Sequence, residues 1–225
     1  MTIVMDSDLK QLLNSPRLPF IARRIDAILA DEAQRRREFY AQIDEDDKAE
    51  FINGEAIFHS PVKLRHNVVG KRLLILIDTY VMIHNLGYVG YEKIMVSLTR
   101  NDYEPDICYF NQAKAAAFSP DQMRFPAPDL VVEVISASTE QTDRGVKFED
   151  YAAHGVQEYW IIDPEAETLE QYRLPENGDV YEMVIKALTG QVRSVAVSGF
   201  EIPVRAVFDP ETNQAALQAL LSQQS

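Results

Sequence analysis

Apolar positions change their spacing along the chain, and the change divides it. Between residues 20 and 42, Ile21, Ile25, Ile28 and Leu29 recur at steps of three and four, and Ala33, Phe39 and Tyr40 continue the series less regularly. That spacing predicts an amphipathic helix. Its polar side holds Arg23, Arg24, Arg35, Arg36 and Arg37, the densest basic group in the sequence, and an acidic run, Asp44-Glu45-Asp46-Asp47, closes the segment. A solvated helix packed on the domain is the plainer expectation; an arm that binds phosphates or a partner is the sharper one.

From Ala49 onward, short apolar runs alternate with helical stripes. Residues 50–58 read as a strand or hairpin, with Asn53-Gly54 as the turn. The stripe His66, Val69, Leu73, Leu76, Tyr80 and Ile83 predicts a helix over 63–84, ended by Asn85 and Gly87. Strands are expected at 92–99, 106–110 and 130–135, with a long Ala-rich connection over 111–128. A helix over 142–154 stops at Gly155, and a strand follows over 157–162. Residues 168–173 and 179–185 suit a hairpin around Asn177-Gly178, with further β structure near 192–197 and a short helix at 213–221. This order predicts an α/β domain with a mixed sheet over residues 48–210. Residues 1–47 form an N-terminal helical extension in this reading, and residues 211–225 a C-terminal helix and tail.

Composition narrows the function classes. A chain of 225 residues, 46% hydrophobic and 25% charged, is long enough for a real core and unlike a disordered one. One cysteine excludes an internal disulfide framework and a cysteine-based zinc site within the chain. No apolar run is long enough for a membrane span and no leader is visible, so a cytoplasmic protein without a membrane role is expected. The net charge of −13, from 35 acids against 22 Lys and Arg, repels polyanions. Nucleic-acid chemistry would therefore need a local basic surface or bound metal ions.

The candidate chemistry lies in carboxylates set among aliphatics. In Asp129-Leu130-Val131-Val132-Glu133-Val134-Ile135, an ionised Glu133 on a covered strand costs several kcal/mol, by order of magnitude, unless something answers its charge. A sheet-end ion pair with an arginine would do so. So would a hard cation such as Mg2+, shared with Asp106 at the start of the apolar strand Ile107-Cys108-Tyr109-Phe110 and with the carbonyl of Val134. Lys147, 14 residues after Glu133 on the following helix, is a candidate for stabilising an anionic transition state, or else an exposed helix residue. Glu55 is a candidate further acid at the metal, or a solvent-facing strand residue. His66 is a candidate functional group or a satisfied core histidine. Cys108 interrupts an apolar strand with no evident base, which argues against a nucleophile.

These residues also carry a resemblance. Gly54-Glu55, His66, Pro105-Asp106, the stretch from Pro128 to Ser136, Asp143-Arg144 through Lys147 to Tyr151, and Gly155 through Pro164 resemble the Uma family of restriction-type endonucleases, a branch of the PD-(D/E)XK nuclease superfamily. The resemblance spans roughly residues 48–200. It implies a restriction-endonuclease-like core with Asp106 and Glu133 as metal-binding acids. Where the superfamily pattern has lysine two residues after the second acid, this chain has Ile135, and the resemblance assigns the lysine's place to Lys147. The expected activity is Mg2+- or Mn2+-dependent hydrolysis of DNA phosphodiesters, with Asp106, Glu133, Glu55 and the Val134 carbonyl at the metal and with Lys147 and His66 assisting. A homodimer is a further expectation. The rival readings are an idle nuclease fold used for protein interaction, which the acidic charge favours, and a hydrolase of smaller phosphate esters.

Overall fold

The computed structural model describes residues 7–44 and 46–222. Two helices come first, α1 (Ser7–Leu13) and α2 (Leu18–Gln42). A hairpin of β1 (Ala49–Ile52) and β2 (Glu55–Phe58) leads to the long helix α3 (Leu64–His84). Strands β3 (Gly87–Tyr91), β4 (Met95–Ser97), β5 (Asp102–Tyr103) and β6 (Ile107–Asn111) follow, then the single turn α4 (Gln112–Ala115) and β7 (Arg124–Phe125). The centre of the chain continues with β8 (Leu130–Val134), α5 (Glu140–Asp143), α6 (Val146–Ala153) and β9 (Glu158–Asp163). Beyond it lie β10 (Thr168–Arg173), β11 (Glu182–Ala187), β12 (Gln191–Arg193), β13 (Glu201–Pro203), α7 (Arg205–Phe208) and α8 (Pro210–Ser222).

Six strands form the main sheet in the order β11-β10-β9-β8-β6-β3. Its central pair, β8 and β9, is parallel, and every other pairing in it is antiparallel. A parallel pair needs cover on both faces, which explains why β8 reads as a continuous apolar run. Leu130, Val132 and Val134 pack on one face with Leu73, Leu76 and Ile77 of α3 and with Ala216 and Leu220 of α8. Val131 and Ile135 lie on the other face with Tyr151 and Ala152 of α6. Period-two alternation therefore sends Glu133 toward α6. The mixed sheet flanked by helices is the α/β fold that the periodicity predicts.

A five-stranded sheet, β2-β1-β5-β4-β7, stands beside it. The hairpin turn has the expected chemistry: Asn53 (φ 51) and Gly54 (φ 84) are both left-handed, as a two-residue type I′ turn requires. The C-terminal half of α2 docks on this sheet by packing Phe39 against Ala49, Phe51 and Met95. Arg36 fastens it by gripping Asp102 at 2.6 and 2.7 Å and donating to the carbonyls of Leu98, Thr99 and Asn101. Thus the arginine cluster does not present a uniform basic face, because Arg36 is spent on anchoring and Arg35 on the Gly54 carbonyl and Asp31.

Three expectations need correction. The strand expected at 92–99 is only β4 (Met95–Ser97), in the second sheet; the main-sheet strand β3 lies before that span, at Gly87–Tyr91, and Glu92 turns between the two with φ 53. The helix expected at 142–154 is broken at Gly145 into α5 and α6. The strand after Asn177-Gly178 begins at Glu182, and the chain reaches it through a longer loop in which the Gly178 N–H donates to the Pro175 carbonyl.

Candidate functional site

The site lies at one end of β6 and β8. These strands pair with Ile107 opposite Val132, and one further step of that register sets Asp106 opposite Glu133. Asp106 Oδ2 accepts the backbone N–H of Val134 at 2.8 Å, so the first acid is tied to the strand of the second. Its other oxygen faces His66 Nε2 at 3.2 Å and Lys48 Nζ at 3.7 Å. An ionised carboxylate only accepts, so His66 Nε2 carries the hydrogen. Burial alone would raise the Asp106 pKa, but His66, Lys48 and the Val134 N–H together hold it below the ordinary value.

Lys147 comes in from the first turn of α6 and is buried. Its ammonium lies 2.8 Å from Glu50, 3.1 Å from Glu133 and 3.2 Å from Asp143. Burial disfavours the ammonium, yet three surrounding carboxylates outweigh that effect and push its pKa well up, so it stays charged. One cation thus answers three acids. Glu50 gains most: despite burial, Lys147 and the His59 ring 3.1 Å away hold it down at about 2. Glu133 gains least. Burial pushes its pKa well above the ordinary value, and Asp143, Asp106 and Glu50 push the same way against Lys147. Burial also raises Asp143, whose Oδ1 meets the shared Lys147 ammonium at 3.2 Å.

The structure thus brings Asp106, Glu133, Lys147 and His66 to one end of the sheet, along with the Val134 peptide. It does not bring Glu55 there. Glu55 lies opposite Ile52 on the outer strand β2, whose four residues are all exposed. Asp143, at the end of α5, joins the cluster through Lys147, and the other additional acid is Glu50, on the covered strand β1. Its signal is the same as that of Glu133, an acid inside an apolar run (Ala49-Glu50-Phe51-Ile52), and the sequence reading passes over it. Cys108 is fully buried, and burial pushes its thiol pKa up, so it has no nucleophilic character.

The donor set suits a hard cation. Among the described residues, no three His, Cys, Asp or Glu side chains are grouped so as to enclose an ion by themselves. Mg2+ does not need such a cage, since it is commonly held by one or two carboxylates together with waters and substrate phosphate. Asp106, Glu133 and the Val134 carbonyl are all oxygen donors, and the excess negative charge around Glu133 is what a second cation would relieve.

A helix before three strands, a lysine-bearing helix after them and a fourth strand parallel to the third define the class: a restriction-endonuclease-like α/β fold. The chain belongs to the Uma2 family, described as "Putative restriction endonuclease", whose pattern matches residues 36–205. A protein of Synechocystis named "Uncharacterized protein slr1290" is 27% identical over 173 residues, which cover 75% of this chain and 83% of that one. The crystal structure of "a putative nuclease belonging to DUF820" from Anabaena variabilis superposes with a TM-score of 0.65 at 19% identity, over 80% of this chain and 97% of that one. At that identity the likeness speaks for the fold.

Proposed function

We propose that the protein is a Mg2+-dependent endodeoxyribonuclease that hydrolyses DNA phosphodiester bonds. The observation that carries this reading is Glu133, a buried acid whose charge the chain leaves under-compensated beside a fixed ammonium and opposite a second acid. Asp106, Glu133 and the Val134 carbonyl would hold the ion, or Mn2+ in its place. When bound, the ion supplies a water of lowered pKa and offsets charge on the phosphoryl oxygens. Lys147 is a fixed positive charge there and takes no proton, since its carboxylate neighbours keep it an ammonium. His66 orients Asp106 through the Nε2 contact.

Purified protein incubated with supercoiled plasmid and Mg2+ or Mn2+ tests this directly. Nicking that disappears with chelator, with Glu133→Gln and with Asp106→Asn is the expected result. Cleavage at an unchanged rate by Glu133→Gln would defeat it. An idle nuclease fold that binds another protein is the second reading, and the net charge of −13 favours it. That reading predicts no cleavage under any metal condition.

A further inference from the structure

The N-terminal half of α2 has no partner within the described residues. Residues 22–31 are exposed without interruption, nearly three turns of helix with no covered side. The side that docks on the small sheet through Glu32 and Phe39 continues toward the N-terminus as Ile21, Ile25, Ile28 and Leu29. Ile25, Ile28 and Leu29 are 44%, 47% and 46% exposed, and Phe20 beside them is 65% exposed. A helical segment with a solvated aliphatic stripe gains little stability from the helix alone and draws it from whatever covers that stripe.

The charges along the stripe select the occupant. With Ile25 and Ile28 as the core positions of a heptad, Arg24 and Asp31 occupy the same flank one heptad apart. In an antiparallel pair of identical helices, like flanks meet. Arg24 of one chain then faces Asp31 of the other, twice by symmetry, and Ile25 packs against Ile28. In a parallel pair, Arg24 faces Leu29 and these ion pairs are lost. Among the described residues, Asp31 is bound only by exposed Arg35 at 2.8 Å, an i,i+4 surface pair that a second partner readily shares.

We infer that α2 is a self-association element: two copies of this chain pair antiparallel through the Ile21–Leu29 stripe, related by a two-fold axis, with reciprocal Arg24–Asp31 ion pairs. The element lies outside the acid cluster, and the inference stands apart from the nuclease reading.

Sedimentation velocity of the full chain over about a hundredfold concentration range tests it. The wild type is expected to sediment as a dimer at the upper end. Ile25→Glu, a substitution at an exposed residue, should sediment as a monomer with unchanged near-UV circular dichroism. Arg24→Asp should weaken association about tenfold, and adding Asp31→Arg in the same chain should restore it. A wild type that is monomeric throughout would mean the stripe is covered within one chain or meets another kind of partner, and would overturn the inference. A dimer that survives Ile25→Glu, or a charge swap that fails to restore association, would overturn it as well.

Discussion

Two buried glutamates on adjacent parallel strands are treated in opposite ways. Glu158, at the start of β9, is fully buried and accepts five hydrogen bonds. Trp160 Nε1 at 2.7 Å and Gln171 Nε2 at 2.6 Å share one oxygen. Ser194 Oγ at 2.6 Å and the backbone N–H groups of Val195 and Ala196, both at 2.9 Å, share the other. This carboxylate ties the loop after β12 to the sheet and has no capacity left over. Glu133, one strand away, receives one hydrogen bond among the described residues, from an ammonium that also serves Glu50 and Asp143. A buried polar group that is fully answered holds structure together; one left short is a cost the fold carries for some other purpose. That contrast separates candidate chemistry from scaffold in this sheet, where burial alone does not.

The contrast predicts opposite responses to related substitutions. The largest effect is expected at the answered site. Glu158→Ala strands five donors, two of them backbone, and should cost about 3–5 kcal/mol in urea unfolding. Glu158→Gln keeps one oxygen and should cost roughly 1–3 kcal/mol. At the under-answered site the sign reverses. Because its environment disfavours ionised Glu133, Glu133→Gln should leave the fold intact and raise rather than lower stability at pH 7. A loss of stability at Glu133→Gln comparable with that at Glu158→Gln would erase the distinction.

The smallest effect concerns Glu170, a third buried acid. Burial would raise its pKa, but hydrogen bonds from Arg144, Lys186 and Tyr172 hold it at about 2. Its folded value lies below the ordinary value of 4.5, so the unfolded chain takes up this proton first as the pH falls. The stabilisation is therefore whole above about pH 4.5 and is lost as the pH falls through about 2. The stability gap between wild type and Glu170→Gln should narrow over that interval. A gap independent of pH would show that the Arg144 pairing does not act through charge.

Much of this arrangement is legible in the sequence. The continuous apolar run around Glu133 places that acid on a covered strand, the proline before Asp106 marks the start of another, and Asn53-Gly54 marks a two-residue turn. What cannot be read is which sheet each strand joins. β1 and β2 look equally apolar, yet β1 lies inside a sheet and β2 at its edge, and that difference buries Glu50 and exposes Glu55. The crossing from β3 to β4 at Glu92 escapes for the same reason, because a passage between sheets leaves no periodic signature. Arg36 resembles its neighbours in the basic run, and only the tertiary approach of Asp102 turns it into an anchor.

Titration calorimetry with Mn2+ on wild type and Glu133→Gln tests the central claim most directly. Mn2+ uptake by the wild type is expected, with loss of that uptake in the variant while the fold is retained. Equal uptake by both proteins, or none by the wild type, would contradict it.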